Sequence, residues 1–257
     1  MSRRSSVDGT TAVVTGASSG IGEVIATRFA DDGANVVVCS RDRTNVDPVA
    51  ERIEESGGTA LAVECDVTDR EAVDELVTAT AGAFGSIDTL VNNAGTRFIT
   101  EFDDIPEEEW KAVIDVNLHG TYHCTQAAGD LLKEGGGTVI NLGLSSAANR
   151  RGTPQLSHYS AAKAAVINLT TTLADEWASD DVRVNCIAPG FVAVPAVESY
   201  LGVSAAEIDR DLVDRSIAHP SEIADVAQFL ASPSSSHIVG ETIIVDGVPR
   251  IEETPGI

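Results

Sequence analysis

Seven short apolar runs, rich in valine, isoleucine and threonine, punctuate this chain and constrain its fold more than any other feature. They are Thr11–Thr15, Asn35–Ser40, Thr59–Cys65, Thr89–Asn92, Thr138–Leu142, Val182–Ala188 and Glu241–Val245. Most are apolar without alternation, which suits strands covered on both faces. Amphipathic stretches fill the intervals, at Gly20–Asp32, Asn45–Ser56, Asp69–Phe84, Glu107–Glu134, Tyr159–Ser179 and Ser221–Ala231. Regular alternation of strand and helix predicts an α/β fold. The sheet should be parallel, seven-stranded and doubly wound, with helices on both faces and right-handed crossovers. All 257 residues read as a single domain. Within it, residues 1–9 read as a short tail and 250–257 as a second tail. Residues 189–216 read as a lid on the substrate side or as an ordinary insertion.

Charge narrows the partners. Forty Asp+Glu oppose 17 Lys+Arg, for a net −23, and only Lys111, Lys133 and Lys163 are lysines. A nucleic-acid partner is disfavoured, because phosphate binding needs a basic face. The acids are spread along the chain rather than blocked at one end, so they read as a surface built for concentrated salt, as in a halophile's cytoplasm. At about 1 M salt the screening length falls to roughly 3 Å, and mutual repulsion becomes tolerable. No segment reaches the roughly 18 apolar residues of a membrane helix, and Met1–Thr10 has no secretory apolar stretch. Cys39, Cys65, Cys124 and Cys186 lie far apart. They read as reduced, mostly buried thiols of a cytoplasmic protein, with no metal site expected.

The first run leads directly into Thr15-Gly16-Ala17-Ser18-Ser19-Gly20-Ile21-Gly22, and a helix follows. Gly16 can take the tight turn, Gly20 can let backbone approach a pyrophosphate, and Gly22 can permit close helix–strand packing. The helix start then offers N–H groups to phosphates. The spacing T-G-x-x-x-G-x-G resembles the cofactor turn of the short-chain dehydrogenase/reductase family. Further motifs follow in family order: Cys65-Asp66-Val67, Asn92-Asn93-Ala94-Gly95, Asn117, Ser145-Ser146, Tyr159-Ser160-Ala161-Ala162-Lys163, and Asn185 through Pro189-Gly190. The resemblance spans roughly Thr10 to Gly247 and implies a single-domain Rossmann fold.

Tyr159 and Lys163 stand four apart near a helix start, so they share one face. A phenol ionises near pH 10 (about) when free, and a nearby ammonium favours phenolate. The resemblance makes Tyr159 the proton-transfer group, Lys163 its activator and ribose ligand, and Asn117 the holder of a relay water. Counting back from Tyr159 puts the family's serine at Ser146, with Ser145 as the alternative. Counting from the preceding strand lands on Leu144, after the departure Gly143-Leu144.

The resemblance also implies the cofactor contacts. They are Gly16, Ser18, Ser19, Gly20, Ile21 and Gly22 at the turn, Asp66 and Val67 at adenine, and Asn93, Ala94 and Gly95 along the dinucleotide. Tyr159 and Lys163 serve the ribose, and Pro189, Gly190 and the Val192 backbone serve nicotinamide. The NAD-selecting acid of the family is replaced by Ser40, and Arg41 follows, so NADP is the expected cofactor, with NAD possible. Asp42 comes next and reads as solvated. Val194 stands where the family often has threonine, and Asp246-Gly247-Val248 where it has Asp-Gly-Gly.

The expected activity is interconversion of a secondary alcohol and a ketone, in the manner of a 3-oxoacyl thioester or other carbonyl reductase. Alternatives are an NAD-dependent sugar dehydrogenase and a nucleotide-binding regulatory protein. Arg97, Arg150 and Arg151 fit either an anionic substrate or surface ion pairs, and His119 and His158 read as packing or surface residues. Family members commonly assemble as homotetramers, and the same is expected here.

Overall fold

The computed structural model describes residues 5–195, 197–198 and 202–248. Seven strands form one parallel sheet in the order β3-β2-β1-β4-β5-β6-β7. They are β1 Thr11–Thr15, β2 Asn35–Ser40, β3 Thr59–Glu64, β4 Thr89–Asn92, β5 Thr138–Leu142, β6 Arg183–Pro189 and β7 Thr242–Val245. The chain winds outward from β1 to β3, then returns to place β4 on the other side of β1. That reversal opens a crevice beyond the carboxyl ends of β1 and β4, where open α/β sheets bind ligands.

Successive strand residues point to opposite faces, and both faces are covered. Val14, Val36 and Val38 pack on one side with Ile25, Phe29, Ile223 and Leu230. Val13, Val37, Leu90 and Val139 pack on the other with Leu76 and Leu132. This double burial is why the strand sequences show no alternation. The helices are α1 Gly20–Asp31, α2 Asp47–Glu55, α3 Arg70–Phe84, α4 Glu107–Ile114, α5 Gly120–Gly135, α6 Ser145–Ala148, α7 Ser157–Glu176 and α8 Pro220–Ala231. Asp69, read as the first residue of α3, is its N-cap and accepts from the Glu71 N–H.

Two helical expectations need correction. The single helix over 107–134 is interrupted at Asp115–His119 by one wide π turn, closed by the Gly120 N–H on the Asp115 carbonyl. The cause is Asn117, which is fully buried there. Its Nδ2 donates to the carbonyls of Val113 (2.9 Å) and Thr96 (2.7 Å). The four-residue α6 was not expected at all; it begins directly after the departure Gly143-Leu144.

Among the described residues, Arg28, Arg43, Arg52, Arg70, Lys111, Lys133, Arg210 and Arg215 each meet a carboxylate. Most of these pairs are solvent-exposed and contribute little individually. Arg183 instead commits its guanidinium to Thr138, Ser232 and Ser235. No described helix is long and apolar enough to cross a membrane. All four cysteines are buried and free. The tail expected at 250–257 and the first four residues of the tail at 1–9 lie outside the described residues.

Candidate active site

The crevice is a cavity of about 1280 Å³, lined from Gly16, Ser18, Ser19, Gly20 and Ile21 at one end to Ser145, Ser146, Tyr159 and Lys163 at the other. Ser40, Arg41, Asp66, Val67, Asn93, Ala94, Gly95, Pro189, Gly190 and Val192 also line it. Gly22, Asn117 and Arg150 do not; the first two stand behind the wall, and Arg150 is exposed outside it.

The glycine turn is built by steric exclusion. Gly16 has φ +63°, and a Cβ there would lie 2.7 Å from the Ala94 Cα. A Cβ on Gly22 would lie 2.6 Å from the Gly16 carbonyl oxygen. The Asn93 side chain ties the turn to the end of β4, donating to the carbonyls of Thr15 and Gly16, both at 2.9 Å. The Thr15 hydroxyl accepts from the N–H groups of Asn93 and Ala94. Gly20 also has a φ of +63°, and a Cβ there would lie 3.1 Å from the Val194 side chain. Ser19 N-caps α1 in an extended conformation and makes no side-chain cap bond. The first-turn N–H groups of α1 are thus left for an anion.

At the end of β2, the Ser40 hydroxyl donates to the Asp42 carbonyl at 2.8 Å. The Asp42 carboxylate accepts from both the N–H and the hydroxyl of Thr44, at 2.9 and 2.6 Å. It therefore caps its own turn. The Arg41 guanidinium meets no carboxylate among the described residues. Asp66 repeats the same device, accepting from the Thr68 N–H and hydroxyl.

At the far end, Phe191 and Ala193 pair with Ala218, so the Val192 N–H is left without an acceptor among the described residues. Gly190 is obligatory because the Asp246 carboxylate occupies the space of a Cβ. These features, with the open α1 terminus, fit a dinucleotide along the whole crevice.

Tyr159 lies in the first turn of α7, with Lys163 one turn further on. Lys163 is 3 % exposed. Its Nζ donates to the Leu142 carbonyl at 2.7 Å and sits 5.6 Å from the centre of the Tyr159 ring. Burial pushes the Lys163 ammonium down to about 8. Burial also pushes the Tyr159 phenol above its ordinary value, and the cation acting against this is Arg97. Sequence reasoning had given that part to Lys163 alone. The Asn117 Oδ1 is buried and has no hydrogen-bond partner among the described residues; a Cβ on Gly95 would lie 2.9 Å from it and 3.8 Å from Lys163 Nζ. An orphaned acceptor beside the lysine suits a relay water.

Leu144, Ser145 and Ser146 all reach the cavity. The Ser146 Oγ lies 2.7 Å from Thr153 Oγ1, whereas the Ser145 hydroxyl makes no hydrogen bond among the described residues. Gly143 is explained by Cys186, whose Sγ would lie 2.7 Å from a Cβ. Thr153 was missed by sequence reading, because it belongs to no motif and only the folded loop brings it to the wall; Asp246, singled out in the stretch Asp246-Gly247-Val248, also lines the cavity. The exposed His119 bonds Asp115. His158 is fully buried, with Nε2 at 3.3 Å from Glu109 Oε1 and its ring stacked on Trp110.

A family model described as Enoyl-(Acyl carrier protein) reductase matches residues 16–247. The chain is 40% identical over 239 residues to a 3-oxoacyl-(acyl-carrier-protein) reductase of Synechocystis sp., covering 92% of this chain and 95% of that one. It is 36% identical over 251 residues to Dehydrogenase/reductase SDR family member 4 of Bos taurus, covering 96% and 89%. A crystal structure of a short-chain type dehydrogenase/reductase from Mycobacterium marinum superposes with a TM-score of 0.87 at 34% identity, covering 95% and 96%.

Proposed function

This chain is an oxidoreductase of the short-chain dehydrogenase/reductase family, and from that premise we propose that it interconverts a secondary alcohol and a ketone with NADP(H) preferred. The observation that carries the reading is one cavity lined by the glycine turn at one end and by Ser146, Tyr159 and Lys163 at the other. Bound nicotinamide supplies or accepts the hydride. Gly16, Ser18, Ser19, Gly20 and Ile21 hold the pyrophosphate, Gly22 keeps α1 close to β1, and Asp66 and Val67 hold adenine. Asn93, Ala94 and Gly95 form the floor, and Pro189, Gly190 and the Val192 backbone orient the carboxamide. Tyr159 gives its hydroxyl proton to the reduced oxygen or takes one from the alcohol. Ser146 donates a hydrogen bond to that oxygen, strengthening as negative charge develops. Lys163 contacts the ribose and favours the phenolate while it keeps its own charge. Asn117 Oδ1 holds the water that returns a proton to Lys163. Of the segment 189–216, whose residues 196 and 199–201 lie outside the described residues, Phe191, Val194, Pro195 and Val197 stand on the wall and bound the substrate side.

The NADP preference is supported by the division of labour after β2: Asp42 caps its turn, and Arg41 is left to meet a 2′-phosphate. Reductase assays with NADPH on 3-oxoacyl-CoA thioesters, keto acids and aldoses test the activity, and no cofactor oxidation with any of them overturns it. In the same assays, Arg41→Ala lowers kcat/KM for NADPH by at least about tenfold more than for NADH, since a charge-assisted bond contributes roughly 1.5–3 kcal/mol. An unchanged cofactor ratio removes Arg41 as the selector.

The protein is proposed to act in the cytoplasm, in concentrated salt, as a homotetramer. The free cysteines support the first, and the exposed Trp110 of α4 and Tyr122 of α5 support a subunit contact. The net −23 supports the second. The unfolding midpoint in KCl falls as salt is lowered from molar to dilute, because repulsion among the carboxylates is no longer screened. A midpoint that does not move with salt contradicts this.

A further inference from the structure

The strongest pattern outside the motifs concerns which cations lack an acid. With 40 carboxylates to 17 basic side chains, an arginine that meets no carboxylate is one that the fold holds apart. Among the described residues, the basic side chains with neither an ion pair nor the structural bonds of Arg183 are Arg41, Arg97, Arg150, Arg151 and Lys163. All but Arg150 line the same cavity. Arg41 lies at its adenosine end and Lys163 beneath Tyr159, which leaves Arg97 and Arg151 without a part in the mechanism above.

Arg151 is anchored beside the reacting groups through its own backbone, and Arg97 through that of its neighbour Thr96. The Arg151 N–H donates to the Ser146 carbonyl at 2.7 Å. Arg97 follows Thr96, whose carbonyl accepts from Asn117 Nδ2 at 2.7 Å. The charge of Arg97 reaches the Tyr159 phenol, where it opposes the effect of burial. The acids on the cavity wall are Asp42, Asp66 and Asp246. The first two cap their own turns, and Asp246 packs against Gly190. Neither Arg97 nor Arg151 has one of them as an ion-pair partner.

We infer that the substrate of this site is a small keto acid or hydroxy acid whose carboxylate is held by Arg97 and Arg151. A planar guanidinium matches a carboxylate with two parallel hydrogen bonds, which fixes orientation as well as affinity. The carboxylate end anchored there leaves the carbonyl for Tyr159 and Ser146. In a chain so negative, the two arginines also cancel locally the field that repels an anionic substrate. The inference deepens the oxidoreductase reading and rests on it for the reacting end of the substrate.

The test uses the full-length protein with and without NADP+. Binding by calorimetry and NADPH oxidation are measured for pyruvate, acetoacetate and levulinate, each against its methyl ester, at constant KCl. The expected result is that at least one acid binds at least about tenfold more tightly than its ester. Arg97→Ala/Arg151→Ala reduces that ratio to within about twofold, Arg151→Lys gives an intermediate ratio, and Arg150→Ala leaves it intact. Circular dichroism confirms folding of each variant; all three positions are exposed. No preference for any acid, or a preference that survives the double substitution, overturns the inference, as does turnover confined to coenzyme A thioesters. An arginine-dependent acid preference without turnover of any pair, or of 3-oxoacyl-CoA thioesters or aldoses, leaves the anion site standing and removes the alcohol–ketone reading. Equal turnover of acids and esters does the reverse.

Discussion

Replacing Tyr159 with phenylalanine lowers kcat by at least about 10²-fold, equivalent to roughly 3 kcal/mol of barrier, while NADP(H) still binds. The Tyr159 hydroxyl makes no hydrogen bond among the described residues, so its removal leaves no orphaned partner in the fold. The ring keeps its place in the first turn of α7. The glycine turn proposed to hold the pyrophosphate lies between β1 and α1, away from α7. What is lost is the proton-transfer group, together with a donor to the developing oxyanion. Single-turnover kinetics and cofactor titration separate the two properties. Ser146→Ala approaches the tyrosine defect and Ser145→Ala does not; the opposite order transfers the role to Ser145. Near-normal turnover by the phenylalanine variant removes the proposed mechanism and leaves the fold untouched.

Lys163 gives the second large effect, in stability. Burial lowers its pKa from 10.5 to about 8, because the charged form loses its hydration. In the unfolded chain the lysine keeps its proton up to its ordinary value. Between those limits the unfolded state binds more protons than the folded state, so unfolding free energy rises with pH across the window. Below about pH 8 both states hold the proton, and the folded state carries the full desolvation cost. The interval corresponds to about 3 kcal/mol. Lys163→Met removes the titration. The wild-type stability minus that of the variant should therefore grow by up to about 3 kcal/mol between about pH 7 and pH 10.5, measured by denaturant unfolding. A difference that stays flat over this range contradicts the burial argument. The same titration acts oppositely on catalysis, since an uncharged lysine no longer favours phenolate. Stability and activation of Tyr159 thus pull in different directions as the pH rises.

The strands were legible because each is covered on both faces, and continuous apolar runs such as Val36-Val37-Val38 have few other uses in a chain with strong helical intervals. The glycine turn was legible because its spacing reflects steric contact, as the neighbours of Gly16 and Gly22 show. The region after β5 was less legible. Gly143 answers to Cys186, a residue from β6 that is distant in sequence. Helix α6 is four residues long, too short for a hydrophobic period to reveal it. Arg150 and Arg151 look alike in sequence, yet one has φ +55° and faces away from the cavity while the other lines it. The burial of His158 depends on Glu109 and Trp110 of α4, a contact between helices that no local pattern announces.

The wide turn at Asp115–His119 has a meaning for how this molecule can change over time. Closing an i→i+5 ring accommodates one more residue than a regular α turn. Every side chain downstream is therefore advanced by about 100° around the helix axis. The face of α5 that packs inward, with Cys124, Thr125, Ala128 and Leu132, is in phase with the sheet only because that extra residue is present. Deleting it would restore a regular helix and at once rotate this face out of the core. The distortion that buries Asn117 is therefore locked in by the buried face of α5 downstream of it. Point substitutions can remove the Asn117 side chain, but single-residue deletion cannot straighten the helix without dismantling the layer built on it.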